Sequence, residues 1–426
     1  MAFDIASGTM SWGLSVRMAT LRPSAGDFCL LHGFKLQLDE TIQQTPLDNG
    51  ISALEAFTHY LKELHEFAML ESLRGSLKNC EPSHIQYVLT VPARWSDAAK
   101  NKMRGAAINA GLIKEDDPPS RLNLIVEPEA AALYCERNCE RFDLNHGDQF
   151  LVCEAGNEAV DLTVFEIAVT AAGRRLSKVT NGHGASCGSD VLDRHMQRFL
   201  EEIFGCIAAN FPANIIPKLV DTFAHDIKSQ FDGLEDQFLR LPAHRCFDDL
   251  EDPEAFGIDD GYLFLTAAEL KENVFEPVTK DVLSLIQEQL TQTEDCAAIF
   301  LVGDFTSFNY LYSRVKQQFS SQISQISIPP RPDLAVVHGA VCAGLNLYFG
   351  HHKLPLLVTH MLYYHPELPN SANPNLPKLS RNSGDAFNLS EEELIARQVA
   401  ILQAQHQLDI EKLMIEHHLQ LRKLKG

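Results

Sequence analysis

IQYVLTVPARWSDAAKNKMRGAAINAGLIKEDDPPSRLNLIVEPEAAALYCERN, residues 85–138, is the stretch that decides the fold class. Its opening, Ile85 to Ala93, is β-branched and nearly all apolar, the signature of a strand buried on both faces of a sheet, and Pro92 marks its end. Ser96 then stands where an N-cap belongs, ahead of a helical run that carries Ala98, Met103, Ala106, Ala107 and Ala110 up to Gly111. LNLIVEP over 122–128 reads as a second strand and EAAALYCERN as a second helix. Strand, helix, strand, helix predicts an α/β sheet.

The same grammar continues outward. QFLVCEAG (149–156) and VDLTVFEIAV (160–169) are two apolar runs joined by a short polar connection, which predicts a β-hairpin. NGHGASCGSD (181–190) leads into a helix opened by Ser189 and closed by Gly205. Residues 215–232 and 266–290 read as helices, with a small sheet and acidic loops between them. AAIFLVGDF (297–305) is another buried strand ending on a glycine. The Pro-, Asn- and Ser-rich segment 364–388 reads as a linker. Beyond it, Ser390 and Glu393 fit a capping box at the head of one helix running to residue 426. Its apolar residues Leu394, Ile401, Leu408, Ile415 and Leu419 recur near heptad spacing, though Gln405 and Lys412 interrupt the seam. The segment is therefore open to two readings, a helix-mediated contact through residues 390–426 or a lone helix.

Composition bounds the function. With 426 residues, 45% hydrophobic and 22% charged, the chain has enough apolar content for two or three lobes with real cores. Its 57 acidic against 36 basic side chains leave a formal charge of -21, which argues against nucleic acid or an anionic membrane as the main partner. Ten cysteines occur without a CxxC pair, as in a reduced compartment. The opening residues lack a basic stretch followed by an apolar core, and no run reaches the roughly 20 apolar residues that span a bilayer. The cytoplasm is the expected location. No G-x-S-x-G elbow, P-loop or H-E-x-x-H string occurs. The pairs His351–His352 and His417–His418 are adjacent in sequence, so their side chains diverge on a helix, and no metal site is expected from them.

Four segments in order, LTVPARWSDAAKNKMRGAAINAGL, LIVEPEAAALYC, FLVGDFTSFNYL and PDLAVVHGAVCAGL, resemble the nucleotide-binding domain of the seventy-kilodalton heat-shock chaperones. They look closest to that family's divergent branch, in which a Trp follows VPA. The resemblance extends with gaps over about residues 30–346. It implies an α/β, actin-like ATPase (ribonuclease H-like) fold of two lobes, with ATP or ADP and magnesium held between them. The implied organisation is a first lobe over 1–180 with its opening strands missing, a second lobe over 181–348, a linker over 349–389 and a C-terminal helix over 390–426. By the same resemblance, Glu127 matches an acidic residue that helps hold the metal and its waters. Lys35 matches a lysine that reaches the phosphates, and Lys228 one beside the adenine. Glu154 and Gly156 fall in the second phosphate loop, and Gly303 in the adenosine loop.

Departures from the family pattern shape the functional expectation. The opening FDIASGTMSWG does not match the spacing of the first phosphate loop, Asp-x-Gly-Thr-Thr. Where the second loop should read Asp-x-Gly-Gly-Gly-Thr, this chain has Glu154, Ala155, Gly156, Asn157, Glu158 and Ala159. Consecutive glycines let backbone N–H groups approach phosphate oxygens, and side chains at those positions crowd that approach. A carboxylate facing phosphate at ~4 Å costs on the order of 1 to 4 kcal/mol. One or two such losses weaken affinity by roughly ten- to a thousandfold. In the adenosine loop, Asp304 and Phe308 put charge and bulk where base and ribose would lie. The expectation is a non-catalytic or weakly nucleotide-binding protein with interaction or regulatory duties, ATP/ADP and Mg2+ being weakly held or lost. The alternative is a working ATP-binding, chaperone-type ATPase whose first phosphate loop lies upstream of this sequence. A sugar kinase of the same architecture ranks last, because no catalytic Asp near a sugar pocket can be placed.

Overall fold

The computed structural model describes residues 2–4, 9–12, 28–31, 33–41, 50–75, 85–138 and 143–351, isolated positions aside. The chain divides into Met1–His365 and Pro366–Gly426, and everything described below belongs to the first unit. The linker and the terminal helix expected over 390–426 lie outside the described residues.

Fourteen strands are described: β1 (Ala2–Asp4), β2 (Thr9–Ser11), β3 (Phe28–Leu30), β4 (Tyr87–Val91), β5 (Leu122–Val126), β6 (Gln149–Ala155), β7 (Val160–Thr170), β8 (Gly173–Lys178), β9 (His183–Ala185), β10 (Gln237–Arg240), β11 (Ile258–Asp259), β12 (Tyr262–Leu265), β13 (Cys296–Val302) and β14 (Gln325–Ser327). The main helices are α1 (Ala53–Gly75), α2 (Asp97–Asn109), α3 (Glu127–Asn138), α4 (Asp190–Phe204), α5 (Ile215–Asp226), α6 (Glu276–Leu290), α7 (Asn309–Phe319) and α8 (Ala335–His351).

The strand–helix–strand–helix reading of 85–138 is what the chain forms. Ser96 caps α2, its Oγ accepting the Ala99 N–H at 3.2 Å. β4 and β5 pair in parallel with α2 as the crossover. A second unit repeats this order, with β13 and β14 parallel around α7 and then α8. The helices that close the two units, α3 and α8, meet at small residues. Ala130, Ala131, Ala132 and Ala335 are fully buried, and a Cβ built on Gly339 would lie 1.6 Å from the Ala130 carbonyl oxygen. No side chain fits there, so the contact requires glycine.

The largest sheet is mixed, in the order β14-β13-β6-β7-β8, with β9 also on β7. Its central strands are buried on both faces, which explains their continuous apolar sequence. Phe150 and Val152 of β6 join Ala298, Phe300 and Val302 of β13 on the α3/α8 side. Leu151, Cys153, Ile299 and Leu301 face the larger core built with α4 to α7. There Phe204 is 1% exposed, with Phe211, Phe247 and Phe256 rings 5.1, 5.9 and 6.3 Å away. The small sheet β10-β12-β11 is the one expected between the helices around 215–232 and 266–290.

At the start of the chain, β1 pairs antiparallel with both β2 and β3. These strands are three residues each, too short to show period-two alternation. Two readings need correction. Ser189 does not cap α4 with its side chain; its hydroxyl donates instead to Asn157 Oδ1 at 2.9 Å, because the β6–β7 turn packs onto the head of that helix. The helix expected over 215–232 ends at Asp226, where the chain turns inward to bury Ile227, Lys228 and Phe231.

Candidate functional site

Lys35 stands at the head of a short 3-10 turn, Leu36–Leu38, whose Leu38 is buried with Phe57, Leu61 and Trp95. Asp39 fixes that segment against α2. Its carboxylate, 1% exposed, accepts the Thr41 and Ser96 N–H groups at 3.1 Å each and both hydroxyls, at 2.9 and 3.3 Å. Burial alone would raise its pKa, but these bonds hold it below the usual carboxylate range. The result is a lysine delivered to one place: its Nζ lies 2.5 Å from Oε1 of Glu127, the first residue of α3.

Glu127 is in place because β5 runs straight into α3, and a carboxylate suits a helix N-terminus. Two more carboxylates come from the β6–β7 hairpin. Glu154 and Asp161 are direct cross-strand partners, so their side chains leave the same face of the sheet. Oxygen atoms of Glu127, Glu154 and Asp161 all lie within 4.8 Å of one another. Asp161 is wholly buried, and neither of its carboxylate oxygens has a hydrogen-bond partner.

Electrostatics follow from that crowding. Burial, then Glu127, push the Asp161 carboxyl up to about 7, against the pull of Arg94 and Lys35. Burial, Glu127 and Asp161 drive Glu154 well above its ordinary range, with Asp304 adding to the repulsion and Lys35 opposing it. Glu158, in the turn, is raised by burial and Asp190, while Lys35 and a backbone hydrogen bond from Gly33 restrain it. Burial lowers the Lys35 pKa, yet Glu127, Glu154 and Glu158 together leave it raised. One lysine therefore answers three glutamates and an aspartate.

The sequence-predicted residues separate into two groups. Lys35, Glu127 and Glu154 meet, and Gly156 lies at the turn beside them, its N–H bonded to the Ala159 carbonyl at 2.9 Å. Gly303 abuts the same turn at φ +91°, where an added Cβ would sit 2.3 Å from the Ala155 oxygen. Asp304 beside it is raised by burial and by Asp333, with Arg331 opposing. Lys228 has a different partner: its ammonium, 8% exposed, pairs with Asp193 of α4 at 2.8 Å and stands 5.9 Å from the Phe308 ring. The expectation that Asn157 would obstruct the cleft is modified, since the Ser189 hydroxyl bonds its side chain.

Sequence reasoning missed Asp161 and Arg94. An Asp inside the apolar run VDLTV is the signal that could have found the first, because a charge in a doubly buried strand is costly without a purpose. Arg94, in the turn between β4 and α2, donates to Ser186 Oγ at 3.3 Å, and its Nε is buried without a partner. No spacing in the sequence connects positions so far apart.

A magnesium ion is what the fold implies here, and the donor set fits one. Hard divalent cations take oxygen ligands, and Asp161 offers two unpartnered buried oxygens beside those of two glutamates. The nucleotide fits less well, because Lys35, matched only by resemblance to a phosphate-reaching lysine, is paired with Glu127. Chemically, the group can bind a hard cation or, without one, share a proton.

The parallel βα units, the mixed sheet and the three convergent carboxylates fit the actin-like ATPase class. The chain is a divergent relative of the heat shock 70 proteins. It is 24% identical to human heat shock 70 kDa protein 12B over 399 aligned positions, covering 75% of this chain and 58% of that protein. Human heat shock 70 kDa protein 12A is also 24% identical, over 402 positions and 76% of this chain, and the mouse 12A protein 25%, over 407. The chain thus spans 58–59% of the length of these relatives. No protein-family model matches it.

Proposed function

We propose that this chain is a heat shock 70-like protein with a degenerate ATP cleft, non-catalytic or weakly nucleotide-binding, that works as an interaction or regulatory protein. One observation carries the reading: the Lys35 ammonium is held by Glu127 at 2.5 Å and shared electrostatically with Glu154 and Glu158. A triphosphate entering there must compete with carboxylates for the Lys35 ammonium. Cross-strand repulsion between Glu154 and Asp161 adds to that barrier. The cytoplasm is the proposed location, in keeping with the free thiols at Cys153 and Cys187; among the described residues no helix is long and apolar enough to cross a membrane.

A working ATPase is the second reading, favoured by the three convergent carboxylates that suit a divalent cation. Glu127, Glu154 and Asp161 would hold such a cation, whose charge would offset theirs. Calorimetric titration of ATP, with and without magnesium, separates the two. The first reading expects no saturation at sub-millimolar ATP and no phosphate release above background. Tight, magnesium-dependent binding with turnover, abolished by Glu127→Gln, would overturn it.

A further inference from the structure

Five large apolar side chains stand exposed among the described residues, and four of them, Leu234, Phe238, Tyr262 and Phe264, belong to the small sheet β10-β12-β11 or the turn entering it. Single exposed apolar residues are ordinary, whereas a contiguous group marks a contact surface. Three of them are contiguous: Phe238 pairs directly with Phe264, and Arg240 with Tyr262, so Phe238, Tyr262 and Phe264 lie on one face while Leu239 and Leu263 turn into the core. The Phe238 and Phe264 rings are 5.4 Å apart, and Phe238 is 63% exposed.

Beside these rings the sheet ends in a cavity of about 890 Å³, lined by Arg240 and Tyr262 and by the carboxylates of Glu254, Asp259 and Asp260. Between Phe231 and Tyr262 the sequence has ten acidic side chains (Asp232, Glu235, Asp236, Asp248, Asp249, Glu251, Asp252, Glu254, Asp259, Asp260) and two basic ones (Arg240, Arg245), a local balance of -8 within the total of -21. An apolar centre with an acidic rim selects a partner of opposite charge. A second copy of this chain would bring the same acidic rim to a twofold contact, and nucleic acid would be repelled.

We infer that this face docks a basic protein segment. Such a segment lays an aliphatic or aromatic side chain across Phe238 and Phe264 and directs a Lys or Arg toward Glu254 and Asp259. Arg240 at the cavity rim is two positions along β10 from Phe238, so the apolar anchor lies roughly 7 Å from the edge of the cavity. The surface lies outside the carboxylate cleft, and the proposal holds whether or not the cleft binds ATP.

Fluorescence anisotropy on the full chain tests it, with two synthetic amphipathic peptides that share one Leu/Phe pattern, the first carrying lysines and the second glutamates. The lysine peptide is expected to bind and the glutamate peptide not to bind. Phe238→Ser with Phe264→Ser should weaken the lysine peptide by roughly tenfold or more. Glu254→Gln with Asp259→Asn should weaken it too and flatten its salt dependence. Both pairs are surface changes, and unaltered melting curves confirm the fold; should the phenylalanine pair misfold, the carboxylate pair decides. Four outcomes overturn the proposal: no binding to the wild type, equal binding of both peptides, affinity indifferent to the variants, or a wild-type dimer that the phenylalanine pair dissolves.

Discussion

Replacing Asp161 with asparagine is expected to stabilise the cation-free protein at neutral pH. The wild-type carboxyl is fully buried, lacks a hydrogen-bond partner at either oxygen and faces Glu127 and Glu154. Moving such a group from 3.8 to about 7 corresponds to a penalty on the order of 4 kcal/mol once the solution is well above pH 7. Asparagine removes the charge but brings an amide that must also be satisfied, costing about 1 to 3 kcal/mol, so the net gain is on the order of 1 to 3 kcal/mol. The pH dependence has a definite sign. An acid whose folded pKa is raised binds its proton more tightly in the native state, so the wild type gains stability as pH falls from about 7 toward the ordinary carboxylate range. The asparagine variant lacks that increment. Urea unfolding with chelator at pH 7.5 and 5.5, then with magnesium, measures all three effects. Magnesium should raise the wild-type midpoint and leave the variant unmoved. A variant less stable than wild type at pH 7.5 without cation, or one that keeps the full pH slope, would refute the reasoning.

Other perturbations reach different parts of the molecule. Gly339→Ala forces a methyl into the Ala130 carbonyl, 1.6 Å away, and should destabilise by at least about 2 kcal/mol through separation of α3 and α8, read as a lower melting midpoint. Phe204→Ala empties the aromatic nest around Phe211 and Phe247 and should cost about 3 to 5 kcal/mol in the same assay. Lys228→Ala leaves Asp193 without its ammonium and should cost about 3 to 5 kcal/mol at pH 7, with part of the loss recovered in Lys228→Ala/Asp193→Asn. Glu276 accepts from Arg314 Nε at 2.7 Å and also from Tyr310. Although burial opposes it, these bonds hold its carboxyl below the ordinary range. Its contribution is therefore present at neutral pH and lost as pH falls below about 4; Arg314→Ala should shrink that acid-limb slope.

Local order was legible in the chain itself. The apolar runs of β4, β5, β6 and β13, the Ser96 cap and the hairpin at 156–159 were readable because doubly buried strands and capped helices impose their periods on nearest neighbours. The order of four motifs was enough to indicate the relationship that the 12A and 12B proteins bear out. Glu127 and Gly303 sit inside two of those motifs, whereas Lys35 and Glu154 lie outside all four and were named from the resemblance alone.

What only the tertiary structure decided was which of those groups face one another. Asp161 joins Glu154 through strand register, Lys35 reaches Glu127 across 92 positions of sequence, and Lys228 pairs with Asp193. The three-residue opening strands were likewise invisible until paired, being shorter than any usable period. Helix and strand signals depend on spacing along the chain, whereas the field at a carboxylate depends on distance through space. A sequence therefore determines its elements long before it discloses which charges they bring together.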